Sequence, residues 1–242
     1  MDVQLRARNE QRVNAPGGTV RSKVAASVLA ALGEVEDGAV VLVGGWGGIG
    51  IPDALVLALA GLRRTGLTVV TNNCGSGRRG DVGELFAAGS VGTVVTTFPV
   101  NKGATAFRER YERGEVALDL VPQGTLAERL RAAGAGLGGF FTPTGAGTVL
   151  AEGRESRVIG GREHVFESPL AGDLAIIRAS QADEAGNLRF RYATRAFSPL
   201  MAMAAARTVV QADAVVPVGS IAPDDVHLPG VFVDAVVDGG RR

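Results

Sequence analysis

Apolar residues recur at helical spacing at Val24, Val28, Leu29 and Leu32, and Asp37-Gly38 then interrupts them before a continuous apolar run over 39–43. This spacing predicts helix, turn and buried strand. Pro52 suits a first helical turn, and Leu55, Leu57, Leu59 and Leu62 carry a second helix toward Gly66. A short β-branched strand over 67–70 follows, closed by the polar triplet Thr71-Asn72-Asn73, read as a loop. The alternation continues with helices near 83–88, 107–113 and 125–133 and strands at 91–97 and 116–121. Strands alternating with helices through short connections imply parallel strands covered by helices. The expected class is α/β, a mainly parallel sheet with helices on both faces.

Beyond residue 135 the alternation gives way to a β-rich segment. Short runs lie at 148–151, 156–159 and 163–167, and Gly160-Gly161 between the last two is a two-residue hairpin signal. A buried strand is expected at 174–179, an alternating stretch at 187–192, a helix at 200–206 and a strand resuming at Thr208. Residues 1–23 contain five basic groups, Arg6, Arg8, Arg12, Arg21 and Lys23, against Asp2 and Glu10. They are expected as a solvated basic arm, with residues 24–242 forming one domain.

Composition narrows the function classes. Of 242 residues 46% are hydrophobic, enough for a sizeable core, while 25 Lys plus Arg balance 25 Asp plus Glu. With no net charge there is no global field for nucleic acid or an anionic membrane surface. The apolar runs fall far short of the roughly 20 residues of a membrane helix. Cys74 is the single cysteine, which excludes an internal disulfide and suits a reducing cytoplasm. The 35 glycines are about twice the roughly 7% of an average chain, and they cluster in loops between apolar segments.

The richest cluster is Gly44-Gly45-Trp46-Gly47-Gly48-Ile49-Gly50, placed between a strand and a helix. There its N–H groups can approach a ligand and the helix start favours negative charge. It has neither the Gly-Lys-Ser/Thr of a P-loop nor the spacing of a dinucleotide fingerprint. A turn that only packs the helix against the sheet is the alternative, although one tight turn requires fewer glycines. Ser76 lacks a nucleophile elbow. Cys74 has no histidine nearby in sequence and suits a small apolar filler. His164 and His227 are far apart and suggest no metal site. Glu112, Glu115 and Glu128 accompany arginines on helical faces, as solvated pairs do.

Asp37-Gly38, the apolar run, Gly44-Gly45-aromatic, Gly50 and Pro52 together resemble the glycine-loop motif of family I coenzyme A (CoA) transferase A subunits. The resemblance continues in order through Thr71-Asn72-Asn73, the block Pro122-Gln123-Gly124-Thr125-Leu126-Ala127-Glu128-Arg129, Phe141-Thr142-Pro143-Thr144-Gly145 and Arg195-Ala196-Phe197-Ser198-Pro199-Leu200. Trp46 departs from it, because the family usually has Phe there. The resemblance implies a soluble cytoplasmic enzyme subunit that binds no permanent cofactor and takes CoA and acyl-CoA as substrates. It also implies a B subunit carrying a catalytic glutamate, which forms a glutamyl-CoA thioester. The implied site residues are Asn72 and Gln123 as amide donors beside that glutamate, and Gly44, Gly45, Trp46, Gly47, Gly48, Ile49 and Gly50 for CoA. Read locally, Asn72 is an Asx turn and Gln123 a helix-start hydrogen bond.

The variant blocks Gly89-Ser90-Val91 and Thr97-Phe98-Pro99 are most similar to those of 3-oxoadipate transferases, so succinyl-CoA is the expected donor and 3-oxoadipate the expected acceptor. A dicarboxylic acceptor calls for an extra cation, for which Arg78, Arg79 and Lys102 are the candidates. Acetoacetate- or acetate-using transferases, a hydrolase on the same fold, and a CoA-ester-binding regulator that acts without a partner are the competing expectations.

Overall fold

The computed structural model describes residues 21–240. Residues 1–20 of the expected arm lie outside the described residues. At the arm's end, Lys23 is bonded into the fold, its Nζ donating to the carbonyls of Gly230 at 2.6 Å and Val233 at 2.8 Å.

Strands β1 (Val40–Val43), β2 (Leu67–Asn73), β3 (Val91–Phe98) and β4 (Ala117–Leu120) alternate with helices, as the periodicity predicts. The helices are α1 (Val28–Leu32), α2 (Asp53–Gly61), α3 (Gly83–Ala87), α4 (Thr105–Glu112) and α5 (Gln123–Ala135). Two local expectations are corrected. Helix α1 starts at Val28 and not at Val24, because Ser27 caps it, its Oγ accepting from Ala30 N–H. Val24 instead makes a parallel bridge to Val236. The triplet Thr71-Asn72-Asn73 is no loop: it extends β2, pairs with β3 and is buried, at 1%, 6% and 3% exposure.

After α5, strands β5 (Phe140–Thr142), β6 (Ser156–Ile159) and β7 (Arg162–Glu167) form an antiparallel flap in the order β5-β7-β6, the β-rich segment expected there. Arg129 on α5 fastens it, donating to Ser168 O at 3.0 Å and facing the buried Glu167, which Arg154 also binds. The chain then returns to the main sheet through β8 (Gly172–Ala179), β11 (Ala205–Ala212) and β13 (Ala235–Asp238). A small side sheet comprises β9 (Gln181–Asp183), β10 (Leu188–Arg189) and β12 (Val215–Val216). The α/β pattern therefore extends well past residue 135, because three of the seven parallel strands lie beyond it.

The main sheet runs β13-β11-β8-β1-β2-β3-β4 with every neighbouring pair parallel. Its alternating side chains feed two cores. On one face Val41, Val43, Val69 and Val94 belong with Leu55, Leu59, Phe86 and Phe107 of α2 to α4. On the other, Leu42, Val70, Val95 and Ile177 belong with Leu126 and Leu130 of α5 and Met201 of α6 (Ser198–Ala204). Each such Leu or Phe contributes about 1.5–3 kcal/mol by leaving water. Strand β1 connects outward through α2 to β2, whereas its other neighbour β8 connects through α6 to β11 on the opposite face. The order of strands reverses at β1/β8, and a crevice opens beyond their carboxyl ends.

Candidate active site

The glycine loop 44–50 leaves β1 at that reversal. Gly44 N–H still donates to Ile176 O of β8 at 2.9 Å, and Trp46 and Ile49 exchange two backbone hydrogen bonds of 2.8 Å. Gly47 and Gly48, at φ 55° and 91°, make the two-residue turn between them, a geometry that needs positive φ at both positions. The loop is thus a self-bonded hairpin, so only some of its N–H groups can approach a ligand. Gly44, Trp46, Gly47 and Ile49 have their N–H groups engaged within the chain, so a ligand would be met by those of Gly45, Gly48 and Gly50. Trp46 is 40% and Ile49 51% exposed at its tip, and the indole stacks on Phe197 at 6.3 Å.

Asn72, on β2, is brought directly to this loop. Its Oδ1 accepts from Gly47 N–H at 3.3 Å and its Nδ2 donates to Thr97 Oγ1 at 2.9 Å. Neighbouring Asn73 turns the other way, its Oδ1 accepting from Gly75 N–H, while its buried Nδ2 has no hydrogen-bond partner. Gln123 is placed differently. It is the first residue of α5, exposed, beyond the edge strand β4. It shares the carboxyl end of the sheet with Asn72, but β3 lies between their strands, a separation of about 10 Å at ordinary strand spacing. Within this chain the two amides do not meet.

Loop 75–83 flanks the hairpin and is organised by Asp81. One oxygen accepts from Ser76 N–H at 2.6 Å, Ser76 Oγ at 2.8 Å and Arg78 N–H at 3.1 Å, and the other from Gly83 N–H at 2.8 Å. That loop presents Arg78, whose guanidinium donates to Gly48 O at 3.3 Å. Arg78 and Arg79 line a cavity of about 250 Å³ with Gly48, Asp53, Asp81 and Arg178. Arg178 is held by Asp213 at 2.8 Å and lies 3.6 Å from Asp53. Asp53 Oδ1 also accepts from Ala54 N–H and from buried Gln211 Nε2 at 2.6 Å. Lys102 is exposed and does not line this cavity.

On the β8/β11 side a crevice of about 1020 Å³ is lined by Ile49, Arg191, Tyr192, Thr194, Asp213 and His227. His227 Nδ1 accepts from Phe190 N–H at 3.0 Å, which leaves Nε2 to carry the proton of the neutral ring. Cys74 is buried and its thiol is pushed up to about 12 by desolvation, with a hydrogen bond to Thr96 opposing. A thiol so held supplies no thiolate near neutrality, in keeping with a filler role. Asp81, Thr97, Arg178 and Gln211 escaped the sequence reading. An aspartate between glycines is at least a turn signal, and Thr97 lies in a block noted for its family likeness without being singled out, but nothing local marks Gln211.

The Coenzyme A transferase family profile matches residues 25–239. The A subunit of the 3-oxoadipate CoA-transferase of Pseudomonas putida is 45% identical over 216 residues, 89% of this chain and 93% of that one. The A subunit of a succinyl-CoA:3-ketoacid coenzyme A transferase of Xanthomonas campestris pv. campestris is 43% identical over 221 residues, 91% of this chain and 90% of its own. Among solved structures, the acyl-CoA transferase of Escherichia coli O157:H7 superposes with a TM-score of 0.79 at 23% identity over 93% of this chain, and so attests the fold. This chain covers 48% of that one, about half its length. From the profile match and relatives this similar along nearly their whole length, the chain belongs to the coenzyme A transferase family.

Proposed function

We propose that this chain is the A subunit of a cytoplasmic two-chain 3-oxoacid CoA-transferase that moves CoA from succinyl-CoA to 3-oxoadipate, using a glutamate of its B subunit. The supporting observation is that Asp53 and Asp81, the two carboxylates lining the cavity beside the glycine loop, are both engaged. Asp81 takes four donors, and Asp53 is bound by Ala54, Gln211 and Arg178. A carboxylate so engaged must shed its partners before it attacks, which agrees with the B-subunit glutamate that the family resemblance implies.

In this reading the partner glutamate attacks the thioester carbonyl of succinyl-CoA and expels the CoA thiolate, giving an acyl-glutamyl anhydride. The thiolate then attacks the glutamyl carbonyl, releasing succinate and leaving glutamyl-CoA. The carboxylate of the 3-oxo acid attacks that thioester, and the returning thiolate takes the acyl group and frees the glutamate. Atoms balance without an added base or cofactor. This chain supplies the amide of Asn72 and the hairpin N–H groups to the transient oxyanions, donors worth about 3–4 kcal/mol each when fixed in place. Gln123 joins them from across the sheet's end when the B subunit closes the site. CoA lies along the glycine loop, and Arg78 and Arg79 receive the far carboxylate of a dicarboxylic acyl group.

The test is CoA exchange between succinyl-CoA and 3-oxoadipate by this chain, by its B subunit, and by the mixture. Exchange by the mixture alone is expected. Activity of this chain alone overturns the divided site, and release of free CoA without acceptor turnover makes the assembly a hydrolase.

A further inference from the structure

The side-chain amide of Asn72 has one arrangement that satisfies its surroundings, and Thr97 sets it. Gly47 N–H points at one end of the amide at 3.3 Å, so that end is the oxygen; the other end, Nδ2, lies 2.9 Å from Thr97 Oγ1. The Thr97 hydroxyl has a single proton, and it is directed to the backbone carbonyl of Asn72 at 3.0 Å. Its lone pairs are therefore left to accept from Nδ2. Thr96 Oγ1 donates to the same carbonyl at 3.0 Å, which fixes the backbone independently of Thr97. Rotating the amide by half a turn would set Nδ2 against the Gly47 N–H, donor against donor, at a site only 6% exposed.

From this we infer that Thr97 is a positioning residue. Its hydroxyl locks the amide of Asn72, and the locked amide holds the turn Gly47-Gly48 and keeps the second Nδ2 proton directed for use as a donor. The chain of contacts runs from β3 through β2 to the hairpin tip. The inference rests on the proposed role of Asn72 in the transfer reaction, but its geometric part stands apart from any activity.

The experiment uses the assembled enzyme, this chain with its B subunit, carrying Thr97→Val, which keeps the branched shape and removes the hydroxyl, or Thr97→Ser, which restores it. Thr97→Val should lower kcat by about 10–100-fold, the usual range when a supporting hydrogen bond to a working group is lost, with little change in KM for succinyl-CoA. Thr97→Ser should return kcat to near wild type. In an Asn72→Ala background, Thr97→Val should cost nothing further, because there is no amide left to lock. Backbone hydrogen exchange over residues 44–50 should accelerate in Thr97→Val and in Asn72→Ala but not in Thr97→Ser. Full activity of Thr97→Val, no recovery in Thr97→Ser, or additive losses in the double variant would each overturn the inference. If the wild-type assembly transfers no CoA, the functional reading fails by itself, and the exchange measurement still decides whether Thr97 locks the hairpin.

Discussion

Among the described residues, two Gly-Gly turns are built alike and used differently. Gly47-Gly48 joins Trp46 to Ile49, and Gly160-Gly161 joins Ile159 to Arg162, each pair of glycines at positive φ between antiparallel residues. The flap turn stands in solvent, where a Cβ at either glycine meets nothing within 4 Å. The first turn is open at Gly47, where a Cβ would also meet nothing within 4 Å, but it is held by its neighbours: Asn72 accepts from its N–H, Arg78 donates to the Gly48 carbonyl, and Ser76 Oγ lies 3.3 Å from where a Cβ on Gly48 would sit. The turn type follows from two adjacent glycines. Whether the turn becomes part of a site follows from what neighbouring strands bring beside it.

The largest contrast should come from Gly50→Ala against Gly161→Ala. Gly50 has φ 70°, and a Cβ there would lie 2.9 Å from Thr194 Cα. Its replacement should cost about 2–4 kcal/mol, the left-handed backbone penalty plus overpacking. Gly161→Ala should cost about 1–2 kcal/mol from the backbone alone. Urea denaturation measures both, and equal losses would mean that enclosure by residues 194 and beyond adds nothing.

A smaller effect is expected at Arg78. In the assembled enzyme, Arg78→Leu should lower kcat/KM for 3-oxoadipate relative to acetoacetate by about tenfold, the low end for a charge-assisted hydrogen bond at an exposed position. The same change at Arg157 on the flap, where the guanidinium lies over Phe141, should leave that ratio alone. A uniform loss on both acceptors would make Arg78 a clamp on the hairpin and remove it from acceptor selection.

The smallest effect concerns Cys74 and is confined to alkaline solution. The folded thiol titrates at about 12 against 9.0 for the free group. Below pH 9 both states hold the proton and stability is unaffected. Above it the unfolded chain ionises first, so stability falls as pH rises from about 9 toward 12. Urea midpoints at pH 8 and pH 10.5 should therefore drop more for wild type than for Cys74→Val, and iodoacetamide should leave the native thiol unmodified at pH 8. Rapid alkylation would place Cys74 at an open surface.

Much of the α/β order up to α5 was legible because each strand-helix step is local, with its own apolar period and its own glycine or proline stop. Strands at 174–179 and from Thr208, closing a sheet, were legible too, but not their order beside β1, since a buried strand carries the same apolar run wherever in the sheet it pairs. Reading Thr71-Asn72-Asn73 as a loop failed for a related reason. Polar side chains end a strand by propensity, but here Gly47 and Thr97 bind the Asn72 amide and Gly75 N–H binds the Asn73 oxygen in the interior, and tertiary hydrogen bonds outweigh propensity. The candidate amide at Asn72 was found through the motif around it, while its lock, Thr97, sits on another strand, in a block noted for its family likeness but not for this contact.

The sequence by itself determined the local alphabet of this protein: which segments are strand or helix, where glycine permits a reversal, and the ordered motifs by which its family is known. Only the tertiary structure decided that β8 lies beside β1, that the crevice opens between them, and that Asn72 reaches Gly47 while Gln123 remains on the far side of β3. Periodicity and turn chemistry act over a few residues. Strand order and register are settled by which buried faces and which buried donors can be satisfied together, and that is a property of the whole chain.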